Sequence, residues 1–439
     1  MYPVSCGYNW GYGSRVPRED LSAVLELSRL RRISDLDEEL GLVTVQAGVS
    51  FAQLSRFLRS RGSVWMPTVT GGSPHGSVIA NALERGIGFG VHGNRIDTVC
   101  ALEVVLATGE LLRTGFARYP RARAHRVQRA GLGPSLDGLF AQSNLGVTTA
   151  ATVWLTRRLR WSGWLEIGVP HRHLAVALVR YRALFESGML RGVVKLSNGF
   201  GSAMSSGGSV RAAWRRARSA PWAGHLHVPS DDAVELAARL DYIAHSLRAR
   251  AGITVERRPV QPMSEQAGPY AGIPITGGLA VLTSGSADPD ALAADGAALP
   301  ASAGVLFLCP AVPLTGPAVL EVVDLLTTVA LDDGFLPYLT LNLMDQRVVH
   351  VVFGLFYDRG ARGADHRAMQ TYRRAFAACV RKGYYPYRLG IQSMDAMPPF
   401  SDDSGAVLAR IRAALDPAGV LGRGTYQGAP PRRRAARPR

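Results

Sequence analysis

Two glycine-rich stretches hold the residues best suited to bind a charged ligand. The longer runs from Thr70 to Gly93 and contains Gly76-Ser77-Val78, Asn81, Gly86 and His92-Gly93. Glycine lets backbone N–H groups approach a ligand with no Cβ in the way. Ser and Thr hydroxyls beside those groups complete a nest for the oxygens of a pyrophosphate. A free linker would be poorer in apolar residues, yet Ile79-Ala80-Asn81-Ala82-Leu83, Ile87 and Phe89 interrupt this run. We read it as a buried, ligand-cradling loop. The shorter stretch, Ser5-Cys6-Gly7-Tyr8-Asn9-Trp10-Gly11-Tyr12-Gly13, interleaves aromatic rings with glycine. Rings so placed can stack on a planar ligand while the backbone meets its charged part. A third cluster of small residues, Ser143-Asn144-Leu145-Gly146, feeds a strand that starts near Val147. No pair of histidines has metal-ligand spacing with a carboxylate partner, so no metal is expected.

Regular elements must hold these loops. Leu42 to Ala47 is rich in β-branched residues and reads as a strand closed by Gly48. Ser50 then N-caps a helix from Phe51 to about Arg59. Ala101–Ala107 and Leu111–Thr114 form a hairpin around Gly109. From about Trp161 the texture changes. Helical patterns over 173–184, 232–249 and 314–332 alternate with strands such as 305–308 and 348–353, which argues for helices layered on a sheet. Residues 199–208 are expected to be a surface loop, and 404–415 a last helix.

At 439 residues, with 47% hydrophobic content, the chain is long enough for two domains or one with a large insertion. No apolar stretch is long enough to cross a bilayer. Met1-Tyr2-Pro3-Val4-Ser5 lacks the regions of a signal peptide, so a cytoplasmic location is expected. Four scattered cysteines without a CxxC pair fit a reducing compartment. The net charge is +16, and Lys195 and Lys382 are the only lysines. Nearly all the basicity is arginine, in part in the tail 429–439. The sequence lacks the aromatic–basic interleaving of a nucleic-acid platform, so nucleic acid is not an expected partner.

Three separated stretches resemble the vanillyl-alcohol oxidase and p-cresol methylhydroxylase family of FAD-dependent oxidoreductases, specifically its 4-phenol-oxidising branch. They are Pro3 to Gly13, Gly76 to Gly88 with the following Leu102 to Gly115, and Asp137 to Val147. The strings Asn81-Ala82-Leu83-Glu84-Arg85-Gly86 and Gly138-Leu139-Phe140-Ala141-Gln142-Ser143-Asn144 are its most specific parts. The resemblance implies an α+β flavoprotein of two domains. An FAD-binding domain would comprise 1–160 and 387–428, a cap domain 161–386 would carry the substrate roof, and an Arg-rich tail 429–439 would be disordered. The flavin would be held by Ser5, Cys6, Gly7, Tyr8, Asn9 and Trp10, by Gly76, Ser77, Val78, Asn81, Gly86, His92 and Gly93, and by Gly146, Val147 and Arg423. It also implies hydride loss from the carbon para to a phenol, giving a quinone methide.

That reaction runs best from an electron-rich phenolate, which fixed donors must stabilise. Tyr12, Tyr387 and Arg388 match the family's phenolate-binding trio, and His350 matches a histidine on a cap strand that faces the ring. Oxygen or an acceptor protein would take the electrons, and homo-oligomers are implied by the resemblance alone. Four departures stand out. The chain starts inside the first pyrophosphate loop, where relatives carry earlier strands. Asn94 occupies the position beside the flavin N5 that relatives fill with Asp, so base-assisted water attack is disfavoured. Val305 falls where relatives tether the flavin covalently, so non-covalent FAD is expected. The closing turn reads Gly422-Arg423-Gly424, with Arg423 supplying the charge early. The rival readings are an enzyme of the same fold acting on a non-phenolic alcohol, and a non-catalytic relic or basic binding protein.

Overall fold

The alternating apolar strands near the N-terminus assemble into a five-stranded antiparallel sheet, described by a computed structural model that covers all residues except 14, 21, 201–209, 249–251, 276–301, 423–425 and 427–439. Its strand order is Ile33–Asp37, Leu42–Gln46, Val147–Trp154, Val99–Val105 and Leu111–Arg113. Helix Phe51–Arg59 packs on it through Phe51, Leu54 and Leu58, all 2% exposed or less. Ser50 caps that helix in a reciprocal capping box with Gln53, which satisfies two of the N–H groups a helix start leaves open. A short parallel pair, Tyr2–Val4 with Val24–Glu26, lies at the N-terminus.

The second half of the chain forms a nine-stranded antiparallel sheet. Its main path runs Thr254–Arg257, Trp161–Val169, Trp222–Ser230, Val194–Ser197, Tyr338–Leu343, Val348–Asp358 and Ala303–Leu308. Helices Leu174–Glu186, Ala233–Leu247, Gly316–Asp332 and Ala364–Arg381 bury their apolar stripes against one face of it. In Val348–Asp358 the core side takes Val349, Val351, Phe353 and Leu355, each fully buried. The period of two then sends His350 and Val352 to the opposite face. This is how a core pattern aims a polar row away from the helices. Beyond residue 200 the loop expected over 199–208 lies outside the described residues, as do Arg423 and the tail 429–439. No helix among the described residues is long and apolar enough to cross a membrane.

Candidate active site

The long glycine-rich loop is pinned at its base by Arg95, whose side chain is 1% exposed. Its guanidinium donates to the carbonyls of Thr68 and Val78 and lies 4.6 Å over the Phe51 ring. Ser77 caps the short helix Val78–Leu83 through Ala80 N, and its hydroxyl donates to Ala47 O at 2.6 Å. These bonds hold the loop against the first sheet.

Ser5, Cys6, Gly7, Tyr8 and Asn9 meet Gly76, Ser77 and Asn81 in the walls of one cavity of about 160 Å³. Thr70, Gly72, Ser73 and Glu84 also line it, and Arg388 stands in its wall. Gly7 has φ +75°, a backbone state that disfavours any side chain. The Asn81 Oδ1 and the neighbouring His75 Nε2 are buried without a hydrogen-bond partner. Buried polar atoms in native folds normally have one. Unmet polar groups and small residues together fit a bound dinucleotide. The other expected flavin residues stand elsewhere. Val78 and Val147 are in the core, and Trp10 packs edge-on against Tyr8 at 5.8 Å. A Cβ on Gly86 would strike the Asn81 amide, one on Gly93 would strike Val193, and one on Gly146 would strike Val104. These glycines therefore permit close packing. His92 lines a separate cavity, about 320 Å³, with His225, His227 and Tyr270.

The chain's last third delivers the aryl-binding candidates to the first loop. The Arg388 guanidinium carbon lies 4.4 Å over the Tyr12 ring, and Arg388 donates to Asn9 Oδ1 at 2.7 Å. Its Nε is 3.5 Å from a Glu84 carboxylate oxygen but makes no hydrogen bond. Tyr12 Oη and Cys309 Sγ are 3.0 Å apart, and Tyr387 N donates to Cys309 O. The ring of His350 stacks on Tyr387 at 4.1 Å with planes 7° apart. Asn94, His350 and Tyr387 line a cavity of about 570 Å³. Tyr12, Tyr387, Arg388, Asn94 and His350 thus form one connected group. Glu84, Cys309 and Tyr426, which donates to Glu84 at 2.7 Å, belong to it as well. Motif reading missed these three; Glu84 stood inside a quoted string, while Cys309 and Tyr426 carried no local signal.

Burial pushes the Tyr12 and Tyr387 hydroxyls upward, aided by neighbouring Cys309. Both stay protonated and remain donors. Burial pulls Arg388 down, but Glu84 and the tyrosines outweigh it and the net shift is upward. The site therefore offers two neutral donors and one permanent cation, a constellation suited to an oxyanion.

A family model described as an FAD binding domain matches residues 1–115. The 1'-carboxy-chondrochloren decarboxylase of Chondromyces crocatus is 35% identical over 471 residues, covering 97% of this chain and 85% of that protein. The flavoprotein subunit of 4-cresol dehydrogenase (hydroxylating) from Pseudomonas putida is 32% identical over 155 residues, covering 35% of this chain and 30% of that one. Among solved structures, substrate-bound p-cresol methylhydroxylase superposes with a TM-score of 0.83 at 20% identity, covering 98% of this chain and 84% of that one. The 4-ethylphenol oxidase of Gulosibacter chungangensis in its isoeugenol complex does so with the same score at 22% identity, covering 98% and 85%. The chain belongs to the vanillyl-alcohol oxidase/p-cresol methylhydroxylase family.

As a member of this family it is an α+β, FAD-dependent oxidoreductase. One consequence of the cap strand can be measured in this flavoenzyme. Burial lowers the His350 pKa from 6.5 to about 4, and its Nδ1 has no partner. Between pH 6.5 and 4 the unfolded chain binds a proton that the folded one refuses. Stability therefore falls as pH drops through that window. The loss is expected to reach about 2 kcal/mol, discounted because the ring borders a cavity. Thermal unfolding at stepped pH should show a shallower acid slope in His350→Gln; an unchanged slope would refute the assignment. His227, lowered to about 4 by burial as well, keeps its own share in that variant.

Proposed function

We propose that this oxidoreductase removes a hydride from the carbon para to a phenol, on a 4-substituted phenol or a phenol-like secondary metabolite. The convergence of Tyr12, Tyr387 and Arg388 carries the reading. Bound FAD would supply the hydride acceptor. Tyr12 and Tyr387 would donate to the substrate oxygen, and Arg388 would hold its negative charge as the ring releases electrons toward the para carbon. A quinone methide results, and the chain's residues decide how it is quenched. Asn94 cannot take a proton, so activation of a water is disfavoured.

The carboxyl group in the name of the Chondromyces crocatus relative suggests a quench that needs no base. With a carboxylate on the carbon next to the reacting one, the C–COO⁻ bond breaks. Its electron pair forms the side-chain double bond, the ring regains its phenolate, and CO₂ leaves. No proton moves. Asn94 suits this route, since nothing there has to accept one.

The test is flavin bleaching under nitrogen with 4-ethylphenol, 3-(4-hydroxyphenyl)propanoate and a panel of non-phenolic alcohols. Both phenols are expected to bleach the flavin, the acid yielding 4-vinylphenol and one CO₂ per flavin reduced. Bleaching by the alcohols alone would overturn the reading. We also propose that the flavin is held without a covalent bond, because Val305 on strand Ala303–Leu308 has no atom able to tether it. Acid precipitation should leave the yellow colour in the supernatant; a yellow pellet would refute this.

A further inference from the structure

The cap sheet presents a polar row on the face turned away from its helices. Glu166 pairs across strands with His225, His225 with Lys195, Lys195 with Asn342, and Asn342 with His350. Directly paired residues project to the same side of a sheet. Their chain neighbours Leu165, Leu196, Leu341 and Val351 lie in the helix-covered core. At one end of the row Glu166 is ion-paired to Arg258. At the other, His350 stacks on Tyr387 beside the aryl-binding group.

Lys195 in the middle has no such partner. Its Nζ sits 3.6 Å from the centroid of the Phe89 ring, on the glycine-rich loop, and among the described residues no carboxylate pairs with it. Holding an ammonium there is costly, and burial pulls its pKa down to about 8. The adjacent Asn342 is 5% exposed, and its Oδ1 has no hydrogen-bond partner. Among the described residues these three ammonium donors meet a π surface and no carboxylate, which leaves room for an anion; the Asn342 Oδ1 is an acceptor and can take one of the donors, not the anion. The pyrophosphate cavity has its own walls, and neither Lys195 nor Asn342 is among them. Lys195 lies two strands from His350, roughly 10 Å at the usual strand spacing. A phenol ring with a short acidic side chain covers that span.

We propose that Lys195 is a carboxylate subsite that grips the acid group on the substrate's side chain. The inference rests on the phenolic reading above and adds the substrate's second anchor. With the oxyanion held at one end and the carboxylate at the other, the ring and its reacting carbon are fixed between two charges. Lys195 also selects acids against neutral phenols of the same length.

Calorimetric titration of the holoenzyme with 3-(4-hydroxyphenyl)propanoate and with 4-propylphenol tests it. Lys195→Met is expected to weaken the acid roughly 30-fold, as for a lost hydrogen bond to a charged group, and to leave 4-propylphenol within about twofold. Lys195→Arg, which keeps the charge, should recover most of the affinity and guards against a folding defect in the Met variant. Failure of the wild type to bind the acid, equal losses for both probes, or no loss at all would each overturn the subsite. Bleaching by 4-propylphenol is scored separately. If it fails while the calorimetric difference holds, the phenol-oxidation reading falls and the anion site stands.

Discussion

Replacing Arg388 with methionine is expected to slow flavin bleaching by a phenol about a thousand-fold, the scale seen when a preorganised oxyanion donor is removed. The effect should exceed that of either tyrosine. Tyr12 and Tyr387 are held protonated by burial, so they contribute dipoles, whereas Arg388 contributes the full charge. Its guanidinium is 8% exposed and fixed by Asn9 and the Glu84 carboxylate, so little reorganisation is needed when the substrate ionises. The same substitution has a structural cost, because Glu84 loses its cation. Breaking a buried pair costs about 3–5 kcal/mol. Glu84 keeps 32% of its side chain exposed and a hydrogen bond from Tyr426, so about 2 kcal/mol is expected here. The double variant Glu84→Gln with Arg388→Met separates the two effects. Its melting temperature should recover while anaerobic stopped-flow still shows the slow rate. Recovery of the rate in the double variant would mean that Arg388 serves the fold and not the phenolate.

The second large effect concerns the fate of the side chain. Asn94 lines the cavity shared with His350 and Tyr387, and its Nδ2 donates to Asp97 Oδ2 at 2.6 Å. An aspartate there would face Asp97, whose charge Arg129 only partly offsets at 3.2 Å. Like charges so close raise the pKa of one partner, which favours a base working near neutral pH. Asn94→Asp is therefore expected to speed water addition to the quinone methide by about 10²–10⁴-fold. With 4-ethylphenol in ¹⁸O-labelled water the main product should change from 4-vinylphenol, formed when the quinone methide's methyl group gives a proton to solvent, to the labelled benzylic alcohol. Unlabelled products in unchanged ratio would place position 94 outside the quenching step.

Much of the frame was legible because local chemistry set it. Ser50 followed by Gln53 is a capping box that two short bonds complete. The alternation of Val349, Val351 and Phe353 puts His350 on the other face whatever else the sheet does. The glycines of Ser5 to Gly13 and of Thr70 to Gly93 needed no distant partner to be read as turns. The site's inner bonds were not legible in the same way. Arg388 reaches Asn9 across 379 positions, and Tyr12 reaches Cys309 across 297. No spacing rule links such residues. Their meeting depends on where the strands that carry them are stacked. Val78, Gly93 and Gly146 show the converse limit, since a motif marks a neighbourhood while the burial of the Val78 side chain and the close packing at Gly93 and Gly146 are visible only in the fold.

By itself the sequence marked the glycine-rich loops as ligand-cradling, and its resemblance to a flavoprotein family supplied FAD as the ligand. It determined the family too, because those loops recur in a fixed order with specific strings between them. The tertiary structure alone decided that Glu84 pairs with Arg388, that Cys309 engages the Tyr12 hydroxyl, and that Lys195 faces a ring with no counter-charge among the described residues. The physical reason is that short-range backbone preferences are written residue by residue. The electrostatic surroundings of a side chain are instead set by whatever distant segment the core brings against it.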